Sequence, residues 1–317
     1  MDDVVHQGDD VSVELPGVSA ASVLNRRSSQ QDAFTVSAHM AAIADGMGGH
    51  VRGEEASTAA LEALMAAVTG PCGVGELVAA AGCAQAAVAA LADGEYRNPG
   101  TTLVAATVSG DGRFVHGVWC GDSRAWLIPV DGEASSLTLD HAYSAGGLFA
   151  CLGEHGDSAA FRVDTFTVEA GHGHRVLLST DGAHGWLGCD NGRVHSSELA
   201  ELAASGVAEV VRVGAERGTD NATAVLIDID TWVGASRPSV EPRPWVVQRR
   251  CQAGTRSVWI PELTVPATSV ELAVAETALA AALVEWAPGY GGVEFAELAA
   301  AVRGCGGDVH AVRELLG

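Results

Sequence analysis

The sequence predicts an α+β fold in which antiparallel sheets carry helices on their outer faces. Three features lead to it. Short β-rich or apolar runs bounded by Gly, Asp or Ser fill the first two thirds of the chain. Two helical stretches in succession separate the second of these runs from the third, which breaks a simple βαβ alternation. Segments 102–108 and 114–120 are joined by "SGDGR", a hairpin signal that favours antiparallel pairing.

Taken in order, the strand-like runs are "DAFTVSA", "MAAIAD", "TTLVAATVSG", "RFVHGVWCGD", "RAWLIPVDG", "FRVDTFTV", "RVLLSTDG" and "NATAVLIDID". Ala-rich helices are expected over Glu54–Val68, roughly Glu76–Ala92, and Ser197–Arg217. Five of the ten prolines (Pro238, Pro242, Pro244, Pro261 and Pro266) cluster after "LIDIDTWVG" and mark a boundary. Residues 1–18 thus read as an N-terminal extension, 19–233 as the main domain, 234–268 as a Pro-containing linker and 269–317 as a small helical C-terminal module. Its helices are expected over Ser269–Trp286 and Phe295–Leu316.

Composition narrows the function classes. The chain has 317 residues, of which 48% are hydrophobic, enough for one large domain with an appendage. The formal net charge is −22, a surface that repels nucleic acid and anionic membrane and attracts cations. All 18 basic residues are arginine. The seven cysteines are scattered with no C-x-x-C pair, so neither a disulfide framework nor a zinc site is expected. Reduced thiols and an acidic N-terminus unlike a signal peptide point to the cytoplasm. The most apolar late stretch carries Glu271, Glu276 and Glu285, which makes it a poor membrane span.

The chemistry lies in the aspartates. In "IADGMGGH", Asp45 closes an apolar run and is followed by bare backbone. A charge there is costly unless it is paired or binds a metal; the plainer alternative is an Asp-Gly turn. Asp32 in "QDAF", Asp122 in "CGDSRAW", Asp181 in "LLSTDGAHG" and Asp220 in "GTDNATAVLIDI" also stand at strand ends. One such residue is a turn; five suggest a cluster of hard oxygen ligands suited to Mg²⁺ or Mn²⁺. Paired metals of this kind can activate water for attack on phosphorus.

The ordered segments "RSSQQDAF", "IADGMGGHVRGEEAS", "GTTLVAA", "GDSRAWL", "LTLDH", "LLSTDG" and "GTDNATAVLI", over about residues 20–231, resemble the PPM metal-dependent protein phosphatases. These are the type 2C-like serine/threonine phosphatases, here in their bacterial form. The resemblance implies an α-β-β-α sandwich of two antiparallel sheets flanked by helices. It implies that Asp45 bridges two core Mg²⁺ or Mn²⁺ ions, with the Gly46 carbonyl on one of them. Asp181 and Asp220 complete the second, and Asp32 reaches the ions through water. Asp122, with Asp181, holds a third, weaker ion. Arg27, five residues before Asp32, matches the phosphate-binding arginine; the alternatives are Arg26 in its place or a solvated surface arginine. His50 is either the general acid for the leaving alkoxide or a helix-capping residue. Asn221 is expected to orient the Asp220 loop, Arg124 to serve as an ion-pair partner, Thr101 and Thr102 to support the sheet, and His184 to lie at the surface, the alternative being a place near the metals.

The sequence departs from the family after "LTLDH". Only "AYSAGGLFA" separates His141 from "CLG" at 151–153, where family members carry a helical flap of some tens of residues. The expected function is hydrolysis of phosphoserine and phosphothreonine on proteins by a metal-activated water. The alternatives are a catalytically weak binding or regulatory module, and a phosphatase of a small phosphorylated molecule. The expected partners are phosphorylated proteins and the serine/threonine kinase that makes them, with the C-terminal module free to bind a further protein.

Overall fold

A computed structural model describes residues 5–47, 52–92, 99–143, 147–153, 162–188, 194–236, 245–253 and 256–265. The chain divides into two compact units, the first built from residues 1–110 and 114–236.

The first unit holds two antiparallel sheets. One runs, in spatial order, Val5–His6, Asp32–Val36, Met40–Met47, Leu103–Val108, Phe114–Cys120 and Asp164–Glu169, and Gly100–Thr101 and Leu152–Gly153 extend it beside Met40–Met47. The other runs His195–Ser196, Ala134–Ser136, Arg124–Ile128, Arg175–Ser179, Ala222–Asp228, Val18–Val23 and Asp10–Leu15. The predicted hairpin forms with Leu103 opposite Cys120 and Val108 opposite Val115.

Strand periodicity sorts side chains between three cores. Along Met40–Ala44, Ala41 and Ile43 join the core between the sheets, while Met40, Ala42 and Ala44 face the helices α1 (Gly53–Ala67) and α2 (Val74–Ala89). Along Val176–Leu178, the two ends face inward, and Leu177 joins the outer core under the later helices. Strands buried on both faces read as continuous apolar runs, which is why these segments show little polar alternation.

The helices follow their apolar spacing. In α1, Ala56, Ala60, Leu61 and Leu64 form the buried stripe, and Glu54 and Glu55 favour its N-terminal end. A four-residue helix, α3 (Asp181–His184), follows the strand Arg175–Ser179. The stretch expected as one helix over Ser197–Arg217 is two, α4 (Ser197–Ser205) and α5 (Val207–Arg217). Gly206 between them takes φ +118°, a backbone state that glycine adopts without strain and that ends α4. The Ser196 hydroxyl accepts from the Leu199 amide to start α4. Helix α6 (Ile229–Ser236) buries Trp232, whose indole N–H donates to the Ser37 carbonyl at 3.0 Å.

The ends of the domain differ from the sequence reading. Val5–His6 and Asp10–Leu15, within the expected N-terminal extension, are strands of the two sheets. Val11, Val13 and Leu15 pack on the inter-sheet core, so the alternation in "DVSVEL" marks a half-buried strand. In the second unit, Trp245–Ala253 and Arg256–Val265, within the expected linker, pair as an antiparallel hairpin. The expected C-terminal helices lie outside the described residues. Among the described residues, no helix is long and apolar enough to cross a membrane.

Candidate active site

Five carboxylates lie near enough to influence one another. Asp32 and Asp45 are direct partners across the pair Asp32–Val36 and Met40–Met47. Asp122 follows the strand Phe114–Cys120, Asp181 opens α3, and Asp220 precedes the strand Ala222–Asp228. Asp45 feels burial first, then the charges of Asp32, Asp181, Asp122 and Asp220, and its carboxyl is held well above the usual range. Burial lifts Asp32 to about 7, with Asp181 and Asp220 adding to the rise and hydrogen bonds from Thr223 and Thr180 opposing it. Asp122 is also lifted to about 7, by burial and then by Asp181 and Asp140. Asp181 is raised by burial and by Asp220. Arg27, not Arg26, faces this cluster: its guanidinium pairs with the Asp220 carboxylate, and its own pKa is raised by Asp220 and, more weakly, by Asp181 and Asp45.

Each carboxylate is placed by backbone and hydroxyl contacts. The Thr180 hydroxyl donates to Asp32 at 2.8 Å and accepts from the Thr223 amide at 3.0 Å. The Asp32 amide donates to the Gln30 side chain at 3.0 Å, and the Gln30 amide donates to Ser22, which bonds Thr223 at 2.8 Å. This network crosses from one sheet to the other and was not visible in the sequence; its only signal was the run of small hydroxyl residues beside the aspartates. The Asp45 amide donates to the Thr102 hydroxyl at 3.0 Å, and its carbonyl accepts from the Thr102 amide and the Thr101 hydroxyl, both at 2.9 Å. Both threonines therefore hold the strand of Asp45. Asn221 orients the Asp220 loop: its side chain accepts from the Gln31 amide and donates to the Leu24 carbonyl, both at 2.9 Å.

Two glycines have a different role from the one their position suggests. The strand does not end at Asp45, because Gly46 and Met47 continue it by pairing with Thr101 and Gly100. A Cβ on Gly46 would lie 2.1 Å from the Gly53 carbonyl oxygen, so the bare backbone there admits the start of α1. A Cβ on Gly182 would lie 1.8 Å from the Asn221 carbonyl oxygen. Gly214 of α5 would likewise meet the Ala183 carbonyl at 2.6 Å, so α5 seats directly on the backbone of α3. Gly182→Ala is expected to destabilise the domain by ~1–3 kcal/mol through overpacking and to push the Asp220 loop away from Asp181. A thermal melt with a Mn²⁺ titration checks this; wild-type behaviour in both would contradict it.

His184 is not at the surface. It is 2% exposed, its Nδ1 bonds the Ser179 hydroxyl at 2.9 Å, and Trp126 meets its ring edge-on. Burial and then Arg124 hold its pKa well below the ordinary value. The strand Arg175–Ser179 turns into α3 at once, and the fourth residue of that turn falls back over the sheet. Arg124 is buried and makes a bidentate pair with Asp140 at 2.8 and 2.7 Å. His50 lies outside the described residues.

The Oδ1 oxygen of Asp181 is buried with no hydrogen-bond partner among the described residues. Also among the described residues, no group of three or more His, Cys, Asp or Glu side chains is placed to hold a metal ion as it stands. The fit of a cation therefore rests on donor chemistry. All five groups are oxygen donors, four are lifted by burial and like charge, and one oxygen is left without a partner in the interior. A divalent hard cation would satisfy each of these conditions.

The chain matches the family model described as protein phosphatase 2C over residues 21–221. It is 34% identical over 122 residues to the serine/threonine protein phosphatase PstP of Mycobacterium tuberculosis, a stretch that covers 37% of this chain and 23% of that protein. The chain thus spans about a quarter of the length of the curated relative it matches. Its fold is similar to the crystal structure of the Mycobacterium tuberculosis phosphatase PstP/Ppp, with a TM-score of 0.56 at 26% identity over 69% of this chain and 100% of that one. It is also similar to the catalytic domain of PstP in complex with two manganese ions, with a TM-score of 0.55 at 29% identity over 67% of this chain and 96% of that one. A converging set of carboxylates between two antiparallel sheets and a match over most of the first unit agree: the chain belongs to the protein phosphatase 2C family, the PPM serine/threonine phosphatases.

Proposed function

We propose that the chain hydrolyses phosphoserine and phosphothreonine on proteins in a divalent-metal-dependent reaction. The observation that carries this reading is that Asp32, Asp122, Asp181 and Asp220 all act electrostatically on the buried Asp45, with a buried Asp181 oxygen lacking a hydrogen-bond partner among the described residues and Arg27 paired with Asp220. The two manganese ions of the PstP catalytic domain support the same donor chemistry.

On this reading Asp45, Asp181, Asp220 and the Gly46 carbonyl would hold two Mg²⁺ or Mn²⁺ ions, Asp32 would support them through water, and Asp122 with Asp181 would hold a third. When bound, the ions supply Lewis acidity and an activated water nucleophile. Arg27 presents a planar donor fork at the half-exposed rim, the geometry that suits a phosphate dianion. Its pairing with Asp220 keeps the guanidinium aimed at the carboxylate cluster when no phosphate is present. His50 is the proposed general acid, a role that imidazole chemistry suits because free histidine titrates near neutrality. The substrates are then phosphoproteins made by serine/threonine kinases.

The test is hydrolysis of p-nitrophenyl phosphate, a phosphothreonine peptide and small phosphate esters by the full chain, with Mn²⁺, with Mg²⁺ and with EDTA, beside Asp181→Ala. Metal-dependent peptide turnover lost in the variant is expected. Turnover confined to small esters would replace the substrate class, and metal binding without any turnover would make the chain a binding module.

A further inference from the structure

Of the residues "LTLDH", 137–141, Asp140 pairs with Arg124 and raises Asp122, and His141 has no role assigned so far. We propose that Asp140 and His141 form a two-jawed clamp that positions Asp122. The proposal rests on the reading of Asp122 as a metal ligand.

Asp122 sits in the turn Gly121–Arg124, and the dipeptide holds this turn on both sides. On the near side, the Gly121 amide donates to His141 Nδ1 at 3.2 Å, and the His141 amide donates to the Gly121 carbonyl at 2.9 Å. On the far side, Asp140 takes Nε and one terminal nitrogen of Arg124 at 2.8 and 2.7 Å. That terminal nitrogen also donates to the Gly188 carbonyl at 3.2 Å. The residue before Asp122 and the residue two after it are thus fixed by one dipeptide. The turn is also seated on Thr102, whose hydroxyl accepts from the Asp45 amide: Gly121 takes φ +109°, its missing Cβ would lie 2.6 Å from the Thr102 methyl, and Ser123 bonds the Thr102 hydroxyl at 2.7 Å.

His141 is itself held. Because Nδ1 accepts the Gly121 amide, its proton is on Nε2, which donates to Asp164 at 3.1 Å. Arg162 keeps Asp164 in place at 2.8 Å. The ring is 2% exposed, stacked on Trp119 with centroids 5.8 Å apart and tilted against Phe149 at 5.4 Å. A ring bonded at both nitrogens and packed against two aromatic side chains has little freedom, so its Nδ1 is a rigid reference point for Gly121. Outer groups that orient a ligand in this way typically tune metal affinity by roughly 10–100-fold.

The test is calorimetric titration of the full chain with Mn²⁺, with thermal melts, for wild type, Asp122→Ala, His141→Gln, His141→Asn and Arg124→Lys. The asparagine carbonyl falls near the Nδ1 position and can accept the Gly121 amide; glutamine reaches the Nε2 position and leaves that amide unpaired. Asp122→Ala is expected to lose the weakest Mn²⁺ step. His141→Gln and Arg124→Lys are expected to keep that step but weaken it by ~10-fold or more, with the tighter steps unmoved and His141→Asn close to wild type. In turnover of p-nitrophenyl phosphate, kcat at limiting Mn²⁺ should fall and recover with excess Mn²⁺, and KM should stay constant. If His141→Gln melts below the assay temperature, Arg124→Lys carries the test. Wild-type weak binding in the clamp variants, with the step lost in Asp122→Ala, overturns the clamp alone. Wild-type binding in Asp122→Ala overturns the reading of Asp122 as a ligand, and the clamp proposal falls with it.

Discussion

Asp45→Asn is expected to abolish metal-dependent turnover while making the metal-free protein more stable. The carboxylate of Asp45 is buried and stands among Asp32, Asp181, Asp122 and Asp220, so its charge is repelled from every side. The substitution keeps the shape and removes the charge, which relieves that repulsion in the absence of cations. The proposed bridging role fails for the same reason, because an amide cannot supply two anionic oxygens. Metal ions contribute several kcal/mol of transition-state stabilisation, and at about 1.4 kcal/mol per decade of rate their loss costs roughly 10³-fold or more in kcat. Steady-state kinetics with Mn²⁺ and thermal melts in EDTA measure the two effects. Normal turnover would remove Asp45 from the centre, and a lower melting temperature in EDTA would mean that the carboxylate has a stabilising partner in the metal-free state.

The second large effect is the pH dependence of the metal-free protein. Asp32 and Asp122 are each raised from the model-peptide value of 3.8 to about 7 in the folded state. A group raised on folding binds its proton more tightly in the native state. Its stabilising contribution is complete below the unfolded value and is lost as pH rises through the folded value. In EDTA, therefore, the melting temperature should fall between about pH 4 and about pH 7. A net loss of a few kcal/mol corresponds to roughly 10 °C in a domain of this size. Mn²⁺ displaces the protons, so it should restore stability most at the higher pH and release protons on binding. Melts in EDTA and in Mn²⁺ across this range, with proton release followed in weak buffer, check the sign. A metal-free melting temperature that is flat or rising would contradict it.

Much of the site was legible because its chemistry is written in short segments. Asp32, Asp45, Asp122, Asp181 and Asp220 each stand in or beside an apolar strand, and pairing of those strands brings the aspartates near one another. Arg27 was one of two adjacent arginines in the sequence; the turn after Leu24 settles which of them faces Asp220. The partners of the aspartates were not legible. Thr180 and Thr223 lie 43 residues apart, and Ser22 and Thr223 lie 201 apart. Nothing local in a serine or threonine records which distant hydroxyl it will meet. His184 was misplaced for a related reason: local polarity suggests exposure, but the Ser179 hydroxyl and Trp126 make a buried neutral imidazole acceptable. Gly206 was read as part of a helix because the Ala- and Val-rich flanks are helical on both sides, and one positive φ divides them.

By itself, then, the sequence determined most strands between residues 32 and 228, their antiparallel arrangement and the set of aspartates beside them. These follow from period-two burial, turn residues and charge, all of which act over a few residues. Only the tertiary structure decided what the glycines are for, which hydroxyls hold Asp32, and how Asp140 and His141 grip the turn of Asp122. Those depend on which backbones approach within van der Waals contact, and that is set by the packing of the two sheets and their helices as a whole.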